Sequence, residues 1–200
     1  NQILIKHYAG LHELGGYAAA WQLTMITVLL IQQVARIGGP RLAAVAHEGA
    51  SIGQQLRFLL AYLLVIVLLV LPIAGIFLFA SKGIMTTFFN AEYRDATRIL
   101  HPMGWYALLF APGVVFEQFI VTVRMESAYL LSMLVSGVAS VVLGILIIPS
   151  AGGYGAGWVL VLSYGLAVLI YLGTILTHFL HLRRQTVNRP AVVSATAATP

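Results

Sequence analysis

The sequence predicts an all-α integral membrane protein with about five transmembrane helices and the end of a sixth. Of its 200 residues, 60% are hydrophobic and only 8% are charged, whereas a soluble domain carries about 25% charged residues. Moreover, 56 residues without Asp, Glu, Lys or Arg separate Glu126 from Arg183, far more than the roughly 20 residues that one crossing needs. A chain this apolar lacks the polar surface that a water-soluble globule requires.

Glycine and proline divide the apolar stretches into helices. The five predicted spans, named A to E, cover about residues 16–37, 58–80, 105–123, 128–148 and 155–180. The Gly-Gly-Pro sequence at residues 38–40 is expected to end span A. Residues 149–155, which contain one proline and three glycines, predict a tight turn between spans D and E.

The remaining segments complete the predicted organisation. Residues 1–14 are expected to be the end of a truncated helix, so that residues 1–184 form one C-terminal transmembrane lobe. Residues 185–200 are rich in Ala, Thr, Val and Pro and predict a disordered tail. Two connections predict surface helices: residues 41–57 are mildly amphipathic, and residues 83–101 suit a short interfacial helix on the outer face.

The distribution of Lys and Arg predicts the orientation in the membrane. One side is expected to carry Arg36, Arg41, Arg57, Arg124, Arg183, Arg184 and Arg189. The other is expected to carry Lys6, Lys82, Arg94 and Arg98. Because cytoplasmic loops carry the excess of positive charge, the 38–57 loop and the C-terminus are assigned to the cytoplasm, and the protein to the cytoplasmic (inner) membrane.

Composition also narrows the classes of function. The net charge of +5 suits membrane lipid headgroups, and the basic residues do not cluster as a nucleic-acid interface requires, so no nucleic acid is expected as a partner. There is no cysteine, which excludes disulfides and thiolate metal sites. Enzyme signatures such as HExxH, GxSxG and the Walker loop are absent from the sequence, so an enzyme is not expected.

Span A carries a polar stripe that a lipid-facing helix would not tolerate. At 100° per residue, Ala18, Gln22, Gln33 and Arg36 fall on one face, with Gln32 at its edge. In one interpretation the amides bond to neighbouring helices while Arg36 reaches the inner interface. In the other, the stripe lines a hydrated pathway and Arg36 faces an anionic substrate.

Glu117 is the acid that lies well inside a predicted span. An intramembrane carboxyl group is a candidate functional site because burying it unpaired is costly. Helical spacing places Tyr106, Gly113 and Arg124 on the same face, with Arg124 about 10 Å along the axis from Glu117. Either Glu117 holds helices together through hydrogen bonds, or it couples ions or forms part of a cavity wall.

The charge-free run is expected to be scaffold. Small residues that recur every four positions let a second helix approach closely, and span D carries Ser132, Ser136, Ser140 and Gly144 at that spacing. His178 and His181 are spaced for metal binding but lack a third ligand in the sequence nearby, so no metal site is expected.

The order of these motifs resembles a known family. The chain is similar to the C-terminal half of the polysaccharide and lipid-linked oligosaccharide flippases (O-antigen-flippase-like) of the multidrug/oligosaccharidyl-lipid/polysaccharide exporter superfamily. The passages that carry the resemblance, over roughly residues 1–181, are QILIKHYAGLHELGGYAAAW, Pro40-Arg41-Leu42-Ala43, Pro72, FFNAEYRDATRIL, and Ile148-Pro149 followed by Gly153-Tyr154-Gly155-Ala156. Asn90 replaces the glycine usual in the fourth passage.

The resemblance implies a fold and a mechanism. It implies one lobe of a two-lobed transporter with 12–14 helices, whose other, N-terminal lobe would be a partner missing from this chain. A lipid-linked (polyprenyl diphosphate) oligosaccharide would cross by alternating access, its head passing through a central cavity lined by span A. The resemblance implies no resident cofactor; coupling to a proton or Na⁺ stays open.

Two other functions stay open. A drug or cation antiporter of the same superfamily would need acidic ion-binding residues, for which Glu117 is the candidate. A membrane-embedded polysaccharide polymerase or glycosyltransferase would need a large extracytoplasmic loop with catalytic residues, and the longest predicted outer loop, about residues 81–104, is short for that purpose.

Overall fold

The computed structural model describes residues 2–47, 51–88 and 96–187. Six helices account for nearly all of them: α1 (Gln2–Tyr8), α2 (Gly10–His47), α3 (Ile52–Phe79), α4 (Ser81–Phe88), α5 (Thr97–Thr122) and α6 (Glu126–Val187). Among the described residues, four helices (α2, α3, α5 and α6) are long and apolar enough to cross a membrane. The all-α class is confirmed, and the helices have the length and composition of a multi-pass membrane protein. The count of five spans and the two-lobed transporter fold stay predictions.

The longest helix, α6, folds back on itself at Gly152. At a rise of 1.5 Å per residue its 62 residues would extend about 90 Å, three times the thickness of a bilayer's hydrocarbon core. Gly152 has φ 55° and ψ −138°, a conformation that essentially only glycine adopts. Ser136 and Ser140 before the break line one pocket together with Ser163 and Ala167 after it, so the two parts of α6 pack antiparallel.

Helix α5 is the centre of the bundle. More than half of it is buried, 15 of 26 residues, because α2, α3 and α6 all pack against it. By contrast, the outward faces of α3 and α6 expose leucines such as Leu64, Leu68, Leu134 and Leu146. Exposed leucine on a long apolar helix is the pattern expected of a surface that faces lipid.

Glu13 joins three helices at one end of the bundle. Its carboxylate pairs with Arg98 on α5 and accepts a hydrogen bond of 3.0 Å from the backbone N–H of Gly153, at the break in α6. Gly16 lets α2 approach the start of α5, since a Cβ there would lie 2.9 Å from the Cβ of Ala96. We call this the Glu13 end of the bundle and the opposite one the Arg36 end.

The prediction that residues 38–40 end span A is wrong. Helix α2 continues through Pro40 to His47, so residues 41–47 extend α2 and do not lie apart from it. Tertiary contacts compensate for the bond that proline cannot make: the ring of Tyr62 packs on Gly38, its hydroxyl donates to the Ala35 carbonyl at 2.8 Å, and Leu42 is buried.

Other boundaries also differ from the sequence-based ones. Residues 10–14 belong to α2 and not to the helix before it, because Gly10 (φ 85°) separates α1 from α2. Helix α5 begins at Thr97, well before residue 105, and continues past Pro102 and Pro112. A short helix was expected within residues 83–101, and the structure has one, α4, that begins slightly earlier and covers residues 81–88. The predicted tail begins as helix as far as Val187, while residues 89–95 (with Asn90 and Arg94) and 188–200 lie outside the described residues.

Candidate functional site

A pocket of about 400 Å³ lies between α2, α5 and α6, toward the Arg36 end. Helix α2 contributes Gln32, Ala35 and Arg36 to its wall. The rest of the wall comes from Phe110, Val114, Glu117 and Gln118 of α5 and from Tyr129, Met133 and Tyr164 of α6. A guanidinium, a carboxyl group and two amides therefore share one space between helices that are otherwise apolar.

Glu117 is half-buried in the wall of this pocket. Tyr129, three residues after the start of α6, lines the same pocket from the other side of the α5–α6 turn. Arg36 faces the same space from α2, but no ion pair within 4.0 Å joins it to Glu117 in the described chain. Because neither charge neutralises the other by direct contact, both remain able to bind a ligand or water.

The neighbouring Gln118 belongs to a second set of hydrogen bonds, which fixes α3 to α2. The Tyr62 hydroxyl that donates to Ala35 also lies 3.3 Å from the Gln118 Oε1 atom. Gln118 in turn is close to Gly39, where a Cβ would lie 3.3 Å from the same oxygen. This network holds α2, α3 and α5 in register around Arg36.

Tyr164, in the second part of α6, crosses the pocket to reach α5. Its ring packs against Gly113, where a Cβ would overlap the ring, and its centroid is 5.5 Å from Tyr106 and 5.4 Å from Phe110. The buried Tyr164 hydroxyl finds no hydrogen-bond partner among the residues that the structure describes. Since an unsatisfied buried hydroxyl costs about 1–3 kcal/mol, a polar group that enters the pocket would gain a bond there.

A second pocket, of about 300 Å³, adjoins the first on the side of the α6 hairpin. The two share Glu117, Met133 and Tyr164. The oxygen atoms around the second pocket come from Glu117, Tyr106, Tyr164, Tyr171, Ser136, Ser140 and Ser163. None of the described residues that line it is a Lys or Arg. The two pockets therefore differ in polarity, with Arg36 on one side of Glu117 and hydroxyl groups on the other.

The structure brings together two of the five residues that the sequence proposed for a cavity. Arg36 and Glu117 line the same pocket, and the amide beside them is Gln32, which the helical projection placed only at the edge of the stripe. Gln22 and Gln33 are exposed and line neither pocket. The difference arises because Gln33 is rotated 100° from Gln32, out of the pocket.

Arg124 also lies outside both pockets. It is exposed and follows the C-cap of α5, Val123, with φ 58°, the left-handed conformation common just after a helix C-cap. Its N–H bonds to the Val121 carbonyl and the next N–H, of Met125, bonds to the Ile120 carbonyl, which is the Schellman arrangement usually occupied by glycine. Arg124 therefore sits in the turn between α5 and α6.

The small-residue stripe lies along the inner face of the α6 hairpin. Ser132 and Gly144 are buried, while Ser136 and Ser140 line the second pocket opposite Ser163 and Ala167. The stripe thus faces the returning part of α6, as a packing face would, and also borders the pocket.

Sequence reasoning missed the tyrosines. Tyr129 and Tyr164 both lie in the charge-free run that was interpreted as scaffold, yet both line the pocket together with Glu117. A signal was present: Tyr164 and Tyr171 are seven residues apart and share a helix face with Ala167. In the part of the chain that is described, no three His, Cys, Asp or Glu side chains are grouped to hold a metal ion.

The site defines the chain as a multi-pass helical membrane protein with a polar pocket among its spanning helices. Comparisons with protein-family models, with curated proteins and with solved structures found no match.

Proposed function

We propose that the chain is one lobe of a membrane transporter that flips lipid-linked oligosaccharide or polysaccharide precursors across the cytoplasmic membrane, for the synthesis of cell-surface polysaccharide. The observation that carries the proposal is the pocket of about 400 Å³ that joins Arg36, Gln32 and Glu117 between apolar helices. A structural membrane protein has no need of three such groups around a common space, since polar side chains inside a membrane are costly unless they serve a function.

The chemistry of the pocket suits the head of such a substrate. A guanidinium binds phosphate oxygens through two parallel hydrogen bonds, which suits a diphosphate. The amides of Gln32 and Gln118 supply donors and acceptors for sugar hydroxyls. The polyprenyl tail would stay in the lipid outside the bundle, against the leucine-rich faces of α3 and α6.

The resemblance supplies the remaining parts of the proposal. A second, N-terminal lobe would form the opposite wall of the cavity, and the two lobes would open alternately to the two sides of the membrane. The Arg36 end, which carries Arg41, Arg57, Arg183 and Arg184 as well, would face the cytoplasm together with the C-terminus, in accordance with the excess of positive charge on that side.

The proposal is tested by a flipping assay on the full-length protein. The protein is reconstituted into vesicles that contain a fluorescent polyprenyl-diphosphate oligosaccharide, and translocation is followed with a membrane-impermeant quencher. Arg36→Gln is expected to slow flipping about tenfold or more, because a charge-assisted bond contributes about 1.5–3 kcal/mol. Arg57→Gln, which removes an exposed arginine at the same end, is the matched control. Equal rates for the two variants would remove the support that the pocket gives to the proposal.

The second pocket favours one alternative, a cation antiporter. The Glu117 carboxyl group and the faces of Tyr106, Tyr164 and Tyr171 form the kind of surface that binds a small organic cation. In that case Glu117→Gln would abolish uptake of a labelled quaternary ammonium compound into the same vesicles, while Arg36→Gln would leave it intact. The flippase instead requires Arg36, so the pair of variants distinguishes the two functions.

A further inference from the structure

A third cavity, separate from the pockets around Glu117, opens on the outer surface of the bundle. It is a groove of about 320 Å³ between α2 and α3. Its walls are two matching stripes, Val34, Ile37, Gly38 and Arg41 from α2 and Phe58, Ala61, Tyr62 and Val65 from α3. Both stripes follow the spacing i, i+3, i+4, i+7 of a single helix face, so the groove runs along the helices for about 10 Å.

The groove exists because two helices are held together at its floor. Tyr62 lies flat against Gly38 and its hydroxyl is already bonded to Ala35, so the floor needs no polar partner. The rims stay open: Ile37 is 76% exposed and Val65 57% exposed. In helices with the composition of membrane spans, such rims are exposed to lipid chains.

The groove has a polar end and an apolar end. Helices α2 and α3 are antiparallel, so Arg41 and Phe58 lie together at the Arg36 end. Val34 and Val65 lie further along the helix axes, toward the middle of the bundle. Of the described residues that line the groove, none carries a carboxylate, and the exposed Arg41 is free to attract an anion. The order from cation to aliphatic side chains matches the order of a phospholipid, from phosphate to acyl chain.

We propose that this groove binds one anionic phospholipid, with the headgroup phosphate on Arg41 and an acyl chain along Val34, Ala61 and Val65. The charge of the surrounding surface supports this occupant, because Arg36 lies at the same end of the bundle and raises the local positive potential. A neutral apolar partner would leave the Arg41 guanidinium without a counterion. The site binds lipid whether or not the protein transports a substrate.

Native mass spectrometry of the delipidated full-length protein tests the proposal. The protein is titrated with phosphatidylglycerol and with phosphatidylcholine of identical acyl chains. Both headgroups carry a phosphate, but the choline cation cancels its charge in phosphatidylcholine. Wild type is therefore expected to retain one phosphatidylglycerol about fivefold more tightly than phosphatidylcholine, because a net negative charge beside one arginine gains about 1 kcal/mol. Arg41→Gln is expected to abolish the preference. Arg57→Gln, a neighbouring exposed arginine outside the groove, is expected to keep it.

A second pair of variants tests the acyl chain. Ala61→Phe fills the groove from an exposed position, so it should weaken both lipids without displacing a core side chain, whereas Leu60→Phe, on the next face of α3, should weaken neither. Thermal unfolding of each variant shows whether it is folded.

The proposal is overturned if Arg41→Gln keeps the preference, if Ala61→Phe binds lipid like wild type, or if free inorganic phosphate displaces the lipid completely. A groove covered by a second copy of the chain would retain no lipid and would yield a dimer mass, which would also overturn it.

Discussion

Tyr164 lines both pockets, and its packing against Gly113 can be tested by mutation. A Cβ placed on Gly113 would overlap the Tyr164 ring. The ring cannot simply retreat, because Tyr106 and Phe110 hold it at centroid distances of 5.5 and 5.4 Å. Gly113→Ala must therefore displace the ring or separate α5 from the second part of α6.

Overpacking of this kind costs about 1–3 kcal/mol. The intrinsic helix propensity of alanine offsets about 1 kcal/mol of this cost. Because the overlap with a fixed ring places the steric cost at its upper end, the net loss is about 2 kcal/mol. For a chain of this size each kcal/mol lowers the Tm by about 2–4 °C, so Gly113→Ala is expected to lower the Tm in detergent by about 4–8 °C. Gly173→Ala is the matched control, because a Cβ there meets nothing within 4 Å and the variant should be neutral or slightly stabilised.

A double-mutant cycle separates the steric effect from a general one. In Gly113→Ala combined with Tyr164→Ala, the ring that would be displaced is already absent, so the two losses should not add, and the coupling should reach about 1 kcal/mol or more. Losses that add to within about 0.5 kcal/mol would refute the described contact. So would a Gly113→Ala variant that is as stable as Gly173→Ala.

Three further variants test the bundle, all by thermal unfolding in detergent. Glu13→Ala should cost about 1–3 kcal/mol, because Gly153 loses its acceptor, while the ion pair with Arg98, whose side chain is 59% exposed, adds little. Gly152→Ala should cost about 1–3 kcal/mol, because φ 55° and ψ −138° strain a residue with a Cβ. Tyr62→Phe should cost about 0.5–1.5 kcal/mol, since its bond to Ala35 is lost.

Each of these variants has a control in the chain. Glu126→Ala removes an exposed acid and should leave the Tm unchanged, Gly173→Ala places alanine in a regular part of α6, and Tyr154→Phe removes a half-buried hydroxyl near the turn. If Glu13→Ala resembled Glu126→Ala, the link between α2, α5 and α6 would be absent. If Gly152→Ala resembled Gly173→Ala, the chain would not turn sharply at Gly152. A Tyr62→Phe variant as stable as Tyr154→Phe would mean that the bond to Ala35 contributes nothing.

The class of the fold follows from the sequence because composition and length are averages over many residues. Helix boundaries do not, because they depend on contacts that the sequence does not display. Residues 38–40 contain the usual signals for a helix end, and yet α2 passes through them because Tyr62 packs on Gly38 and bonds to Ala35. The break between spans D and E was predictable, since the combination of φ 55° and ψ −138° at Gly152 needs glycine and no packing partner alters that requirement.

The candidate site was likewise predictable in part. Charged groups inside a membrane are rare and costly, so Arg36 and Glu117 could be selected from sequence alone. The amide that lies beside them is Gln32 and not Gln33. The two differ by a rotation of 100° about the helix axis, and the exact orientation of the helix cannot be derived from the sequence. The spacing of Tyr164 and Tyr171 marks a helix face in the sequence, but it does not show what that face meets, and only the fold of α6 brings Tyr129 and Tyr164 to the pocket of Glu117.

The central claim is that the space between Arg36 and Glu117 is a polar cavity and not a lipid-filled gap. Accessibility of introduced cysteines tests it most directly, since these 200 residues contain no cysteine and the reaction of each variant can be compared with that of the parent protein. Met133 and Leu134 are adjacent and similarly exposed, at 54% and 68%, but only Met133 lines the pocket. In membranes containing the full-length protein, Met133→Cys and Arg36→Cys should react with a charged, water-soluble thiol reagent, and Leu134→Cys should not. Equal reaction or equal protection at residues 133 and 134 would contradict the account.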